Sequence, residues 1–259
     1  MKYIVILLSI IIISCSENNT TEPDDKPVNY SFLELPDTTL GQIVHHHNYT
    51  LSYAEEYEQA YWVAYELVID ELVKNYERTD DFIIDPFVTT GSAEASDYKG
   101  SGYDRGHLMP AAVCTWDSTA MAESFFYSNV SPQNASFNRG VWSRLEDLER
   151  ELVAKYDTVW VVVTPIFNNV TKYIGANGVA VPSDYGRAFL VNDNGVYKGI
   201  AFILSNEAKS SDYDIIENAS YTIDALEKRI GIDLFFQLDN QIEDILESKI
   251  RKEMFEGIK

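Results

Sequence analysis

The sequence predicts an α+β fold, in which helices and strands follow one another without a regular βα repeat. Three observations support this prediction: a segment with apolar residues at helical spacing, a β-branched apolar run, and two strand-like segments joined by Asn194-Gly195. Strands that alternate regularly with helices would indicate a doubly wound parallel sheet instead. Hydrophobic residues make up 46% of the 259, which is ordinary for a globular protein with a core.

Apolar residues at helical spacing predict the helices. Four helices are expected, over residues 55–74, 137–156, 222–232 and about 240–256. In the second, Leu145, Leu148 and Leu152 fall on one stripe. In the third, Thr222 is the expected N-cap, because its hydroxyl can accept a hydrogen bond from a backbone amide of the first turn.

Three further segments predict strands. Residues 158–167, "TVWVVVTPIF", are β-branched and bounded by a turn, which is typical of a buried strand. Residues 185–193 and 197–206 flank Asn194-Gly195, a dipeptide that favours a tight two-residue turn. These two segments therefore predict a β-hairpin.

The N-terminus indicates an export signal. "MKYIVILLSIIIISC" has Lys2, then an apolar run too short to span a membrane as a mature helix, then Ser14 and Cys15. The ending "IISC" is similar to a bacterial lipoprotein box, in which the cysteine is lipidated; an ordinary secretory signal, cleaved nearby, is the alternative. We expect a lipoprotein signal at residues 1–14 and an exported bacterial lipoprotein, held at the outer membrane or cell surface through Cys15.

Residues 15–43 are expected to form a flexible acidic tether between this anchor and the folded domain. The stretch from residue 16 to 40 is polar and acidic and contains three prolines. The domain is expected to cover residues 44–259.

Charge and cysteine content limit the possible functions. The net charge of −21 argues against a broad basic surface for nucleic acid. The negative charge is not spread evenly along the chain, since residues 97–146 hold four basic and five acidic side chains. Behind the signal, Cys114 is the one remaining cysteine, so an internal disulfide is excluded and a buried, inert thiol is expected.

One histidine stands in an unusual setting. The stretch "GSGYDRGHLMPA" places His107 behind Asp104 and Arg105, among glycines that permit a tight backbone near a ligand. Arg105 supplies a permanent charge suited to phosphate, and Asp104 could cap the turn or orient a neighbour. The other histidines of the domain are adjacent, at residues 45–47, and are expected to be exposed or partly packed polar residues.

A second stretch downstream is dense in amides. Residues 127–146, "YSNVSPQNASFNRGVWSRLE", contain Asn138 at the start of the second predicted helix and Glu146 eight residues later. Amide and carboxylate oxygens are the ligands that Mg²⁺ prefers. Because a helix advances about 100° per residue, the two side chains lie about 80° apart around the axis and can border one site.

Taken together, "DYKGSGYDRGHLMPA" and "SNVSPQNASFNRGVWSRLE" resemble the DNA/RNA non-specific endonucleases, a family with a ββα-metal active site that includes secreted bacterial nucleases and mitochondrial endonuclease G. Later segments match in the same order, so the resemblance covers about residues 47–238. It implies a mostly antiparallel central sheet flanked by helices.

The resemblance also implies roles for individual residues. His107 would be the general base, Asn138 the single protein ligand of Mg²⁺ (with Mn²⁺ as a substitute), and Glu146 would hold metal-bound waters. Asn129 would brace the loop. The residues expected to contact substrate are Arg105, Arg139, Arg187 and Lys99. Arg187 stands where a lysine is common in the family.

The implied activity is Mg²⁺-dependent hydrolysis of phosphodiester bonds in DNA and RNA, with little sequence preference and products bearing 5′-phosphate and 3′-hydroxyl ends. Two alternatives stay open. The chain could be an inactive surface lipoprotein that keeps the fold and binds nucleic acid or a partner, or a metal-dependent phosphodiesterase for smaller substrates. Oligomeric state and the preference between DNA and RNA stay open as well.

Overall fold

The protein is described by a computed structural model covering residues 32–37, 40–208 and 214–258. The expected signal at residues 1–14, the lipidation site at Cys15 and most of the expected tether lie outside these ranges. Within them, no helix is long and apolar enough to cross a membrane.

Eleven strands are present in the described residues: β1 (Gln42–His45), β2 (Thr50–Ala54), β3 (Gln59–Val68), β4 (Asp104–His107), β5 (Val130–Gln133), β6 (Thr158–Ile166), β7 (Tyr173–Ile174), β8 (Val179–Ala180), β9 (Asp184–Asp193), β10 (Val196–Ser205) and β11 (Ser220–Tyr221). Seven of them form one antiparallel sheet in the order β1-β2-β3-β6-β9-β10-β11. Strands β4 and β5 form a separate antiparallel pair, as do β7 and β8.

The described α-helices are α1 (Ala95–Tyr98), α2 (Ser118–Ser124), α3 (Ala135–Phe137), α4 (Ser143–Tyr156), α5 (Ile215–Asn218), α6 (Ile223–Ile230) and α7 (Asn240–Glu247). A π-helical segment, Asn138–Trp142, joins α3 to α4, with a kink at Gly140. Short 3₁₀ turns are found at Glu55–Tyr57, Ile69–Glu71, Ala111–Val113, Tyr127–Asn129 and Lys252–Phe255. The predicted α+β class is confirmed.

The seven-stranded sheet separates two apolar layers. Alternate residues of β3 point to opposite faces: Val63 and Tyr65 join the larger cluster, on which α4 packs, whereas Trp62 and Ala64 join the cluster beneath α6 and α7. The central strands are therefore buried on both faces. This arrangement places α4 on one face of the sheet, and α6 and α7 on the other.

The helix predicted over residues 55–74 is wrong. The segment forms a 3₁₀ turn, strand β3 and a second 3₁₀ turn. A strand buried on both faces carries a nearly continuous apolar run, and such a run satisfies helical and strand periodicity equally. The predicted helix over residues 137–156, the strand, the hairpin and the helix capped by Thr222 are all confirmed, and the Thr222 hydroxyl accepts a hydrogen bond from the amide of Ala225 at 3.1 Å.

Two predicted boundaries also need correction. The packed domain includes residues before 44: Leu33 is fully buried in the cluster beneath α6, and β1 starts at Gln42. The expected C-terminal helix ends at Glu247 instead of about residue 256. It stops because the chain then passes to the other face of the sheet, where Met254 and Phe255 are buried in the larger cluster.

Candidate active site

Strands β4 and β5 place the Asp-Arg-Gly-His stretch beside the amide-rich segment. Asp104 pairs with Gln133 and His107 with Val130 in an antiparallel register. A Cβ atom on Gly106 would lie 2.2 Å from the Gln133 side chain, so the close approach requires glycine at this position. The indole of Trp142 donates a hydrogen bond to the His107 carbonyl at 3.2 Å, which fixes the helical segment to β4. The result is a ββα unit built from β4, β5 and α4 with its preceding π-helical segment.

The His107 side chain is enclosed by aromatic rings. Its ring centroid lies 5.0 Å from that of Phe125 and 5.3 Å from that of Phe82, and the residue is 7% exposed. Its Nε2 atom has no hydrogen-bond partner among the described residues. Burial, together with the positive charges of Arg78 and Arg105, lowers the pKa of His107 to about 3, although Asp80 opposes the shift. The imidazole is therefore neutral around pH 7 and keeps a ring nitrogen able to accept a proton.

Asp104 connects Asn138 and Arg139 to the strand of His107. The Asn138 amide nitrogen donates to Asp104 Oδ2 at 3.0 Å, and Arg139 binds the same carboxylate through Nε at 2.8 Å and Nη2 at 2.7 Å. Because its nitrogen is held by Asp104, the Asn138 side chain keeps its amide oxygen for another ligand. The role considered for Asp104, to orient a neighbour, matches these contacts.

A cleft of about 580 Å³ is lined in part by Asp104, Asn138 and Arg139. Four basic side chains line it, together with two acids and several aromatic or small residues. The basic residues are Arg78, Lys99, Arg105 and Arg139. The guanidinium of Arg105 lies 4.0 Å from the ring centroid of Phe82, which also contacts His107. In a chain of net charge −21, this local gathering of cations suits a polyanion.

Glu146 lies on α4, two turns beyond Asn138. Burial raises its pKa to about 7, with Arg187 opposing the shift and Glu149 adding to it. The side chain therefore changes charge close to neutral pH. Asn138 and Glu146 both offer oxygen donors, which is the donor type that a hard divalent cation such as Mg²⁺ takes.

Arg187 does not line the cleft, so its expected role in substrate binding is wrong. The side chain is fully buried in strand β9 and forms an ion pair with Glu149 at 3.0 Å. It also donates to the carbonyl of Leu108 at 2.9 Å and lies over the ring of Trp142. A guanidinium without exposed surface cannot contact a polynucleotide. Through its hydrogen bond to the Leu108 carbonyl, Arg187 supports the residue that follows His107.

Arg78 and Phe82 were not identified as site residues from the sequence. Both line the cleft, and Arg78 also binds Asp80 at 2.6 Å. They lie in a polar stretch without helical or strand periodicity, outside every predicted element. Only the tertiary fold brings this stretch to His107, so no local signal in the sequence could identify it.

Three other expectations concern Asn129, Cys114 and the adjacent histidines at residues 45–47. Asn129 is fully buried, accepts from the Met109 amide at 2.8 Å and donates to the Met109 carbonyl at 2.9 Å, which confirms its bracing role. Cys114 is buried, and burial raises the pKa of its thiol, as expected for an inert cysteine. Of the three adjacent histidines, His46 is packed with its Nε2 atom 3.0 Å from Asp85, while His45 and His47 are exposed.

Comparison with known proteins agrees with this geometry. The DNA/RNA non-specific endonuclease family matches residues 34–241. The mitochondrial nuclease EXOG of Xenopus laevis is 33% identical over 84% of this chain, and nuclease C1 of Cunninghamella echinulata is 32% identical over 82%. Human mitochondrial endonuclease G is 31% identical over 74% of this chain and 69% of its own length.

Coverage of the relatives differs. The chain spans 64% of the Xenopus EXOG and 56% of the mouse protein, but 90% of nuclease C1. A crystal structure of the EndoG/EndoGI complex superimposes with a TM-score of 0.72 at 27% identity, over 78% of this chain and 89% of the other. The fold is thus the ββα-metal nuclease fold, and the chain belongs to the DNA/RNA non-specific endonuclease family, whose members are metal-dependent hydrolases.

Proposed function

We propose that this protein is a Mg²⁺-dependent endonuclease that hydrolyses phosphodiester bonds of DNA and RNA with little sequence preference. The proposal rests mainly on one arrangement. Asp104, on the strand that carries His107, accepts a hydrogen bond from the Asn138 amide at 3.0 Å, beside a cleft lined by four basic side chains. The family and its relatives, which include enzymes named as nucleases, support the reaction class.

His107 is the proposed general base. Its imidazole is neutral because burial and the nearby guanidinium groups of Arg78 and Arg105 disfavour the charged form. It can take a proton from the attacking water through the nitrogen that has no hydrogen-bond partner among the described residues. A phosphate between those two arginines would offset their charge, which favours proton acceptance when substrate is bound.

The basic residues of the cleft are proposed to hold the phosphate backbone. Arg105 and Arg139 are exposed, and Lys99 and Arg78 also line the cleft. Contacts to phosphate position the substrate but do not read its sequence. Low sequence preference and action on both DNA and RNA follow from a site of this kind.

Mg²⁺ is the proposed cofactor, and Mn²⁺ a substitute. Asn138 would bind it through the amide oxygen, and Glu146 supplies a second oxygen-bearing side chain on the same helical segment. When bound, the ion would neutralise the phosphodiester and stabilise charge at the leaving oxygen. Asp104 would orient Asn138 for this role.

The test uses purified full-length protein with plasmid DNA and with RNA, each in Mg²⁺ and in EDTA. We expect both substrates to be degraded in Mg²⁺ and neither in EDTA. Binding without cleavage in Mg²⁺ would instead support the inactive nucleic-acid-binding alternative. Cleavage of small phosphodiesters alone would support the phosphodiesterase alternative.

We also propose that the protein is an exported bacterial lipoprotein, anchored through Cys15 at the outer membrane or cell surface. The apolar run that ends in "IISC" supports this location, as does the polar stretch after it. Cleavage there would act on nucleic acid outside the cytoplasm.

A further inference from the structure

Five carboxylates meet where α6, the following loop and α7 come together. They belong to Asp224, Glu227, Asp233, Glu243 and Glu247. They form two groups that share Glu247, and within each group one oxygen from every member lies within 4.8 Å of the others. The apolar sides of α6 and α7 pack on the face of the sheet opposite to α4. The cluster is therefore separate from the candidate active site.

Glu247 is the shared and most buried member. It is only 6% exposed, and its Oε1 atom has no hydrogen-bond partner among the described residues. Glu243 Oε1 is buried and unpartnered in the same way. In the part of the chain that the structure describes, no lysine, arginine or histidine forms an ion pair with any of the five. A buried carboxylate needs a partner or a proton, and the protein offers Glu247 no partner of its own.

The cluster is held in place by rigid contacts. Glu227 Oε1 accepts a hydrogen bond from the Leu234 amide at 2.7 Å, which fixes the loop against α6. Leu246, next to Glu247, packs so closely on Gly199 of β10 that a Cβ there would lie 2.9 Å from it. The sheet thus sets the position of α7, and the carboxylates are brought together by packing on both elements.

The spacing and chemistry of the oxygens select a cation type. Calcium takes six to eight oxygen ligands at about 2.3–2.6 Å, so ligands on opposite sides of one ion are separated by about 4.6–5.2 Å. Within each group the three oxygens lie within 4.8 Å of one another, which is close enough for one ion to contact all three. The three carboxylates of one group supply three to six of these oxygens, since each binds through one or two, and water can complete the shell. Without nitrogen or sulfur donors, the cluster does not favour a transition metal.

We propose that this cluster binds calcium, with Glu247 as the ligand common to its two groups, and that the bound ion fixes α7 to α6 and stabilises the C-terminal part of the fold. Without the ion, the acids must share protons instead. In that state burial, followed by the neighbouring carboxylates, raises the pKa of Glu247 to about 9.

The test titrates Ca²⁺ alone into the full-length protein carrying Asn138→Ala, which removes the proposed ligand of the catalytic cation. Isothermal titration calorimetry measures the affinity and the number of ions bound. We expect saturable Ca²⁺ binding and a thermal midpoint that rises with Ca²⁺ concentration. Adding Glu247→Gln should weaken binding at least tenfold.

Two further variants keep the result interpretable. Glu243→Gln tests the same site with a less buried ligand if Glu247→Gln does not fold. Asp244→Asn removes the same charge from an exposed neighbour on α7 that belongs to neither group, so it should leave affinity unchanged. The proposal is overturned by three outcomes: no saturable binding, binding that survives both glutamine substitutions, or equal weakening by Asp244→Asn, which would indicate general attraction to an acidic surface.

Discussion

The side-chain amide of Asn138 donates a hydrogen bond to Asp104 at 3.0 Å, which joins the helical segment to the strand that carries His107. Asp104 thereby decides which end of the Asn138 amide is available to a cation. It is a positioning residue, and its removal should affect metal use before it affects the fold.

Asp104→Ala is expected to raise the Mg²⁺ concentration needed for half-maximal cleavage about 10- to 100-fold, the usual effect of losing a group that orients a metal ligand. Asp80→Ala is the matched control, because Asp80 lines the same cleft but binds Arg78 and not Asn138. Cleavage of plasmid DNA over a Mg²⁺ series measures both. Unchanged Mg²⁺ dependence in Asp104→Ala would show that Asn138 does not need this contact.

Glu146 should make metal use depend on pH. Its pKa is raised to about 7, so the side chain is mostly protonated below pH 7 and becomes a carboxylate above it. The Mg²⁺ concentration for half-maximal cleavage should therefore fall as pH rises through about 7 and then level off. His107 adds no slope there, because its pKa of about 3 keeps it neutral. In Glu146→Gln the curve should be flat and displaced to higher Mg²⁺. The same slope in this variant would contradict the assignment.

The buried pair Arg187–Glu149 is expected to support the fold. Arg187→Met leaves Glu149 without its cation, although Tyr65 still donates to it at 2.9 Å. Urea denaturation should show a loss of about 3–5 kcal/mol in the free energy of unfolding. Combining Arg187→Met with Glu149→Leu should recover part of that loss.

Arg229→Met is the control for this experiment, since Arg229 is 43% exposed in its pair with Asp184. An exposed pair contributes at most about 1 kcal/mol. Equal stability of Arg187→Met and Arg229→Met would mean that the buried pair is no more important to the fold than a surface pair.

How far the sequence predicts the structure depends on the element. The helix ending in α4 and the β9–β10 hairpin were predictable, because one has a one-sided apolar stripe and the other an Asn-Gly turn. Strand β3 was not, because it is buried on both faces and its apolar run has no single period. The break after Glu247 follows from the path of the chain around the sheet, which no local pattern encodes.

The same distinction holds for the site. His107 and Asn138 lie in short stretches of unusual composition, and a family resemblance gives them roles before the structure is known. Arg78 reaches the cleft only through tertiary packing. Arg187 carries the expected charge at the expected position in sequence, but burial turns it into a structural group. Charge can be predicted from sequence, whereas exposure depends on the fold.

Cys15→Ala is expected to abolish lipid attachment and to release or mislocalise the protein, because the thiol is the proposed acylation site. Labelling of growing cells with a fatty acid, followed by fractionation, measures attachment and location. Specific activity should not change. The label should stay in a Cys114→Ala control, since Cys114 is buried. Equal label on wild type and Cys15→Ala would mean that this cysteine is not the anchor.

The most direct test of the proposed mechanism is the rate of plasmid cleavage by His107→Ala at saturating Mg²⁺, compared with wild type and with His45→Ala. His45 is exposed and hydrogen-bonds Thr50, so its loss should leave the rate unchanged. Circular dichroism checks that each variant is folded. General-base catalysis accounts for a loss of about 10²–10⁴-fold in His107→Ala. A folded His107→Ala protein that cleaves DNA at the wild-type rate would contradict the proposed role of His107 and, with it, the mechanism.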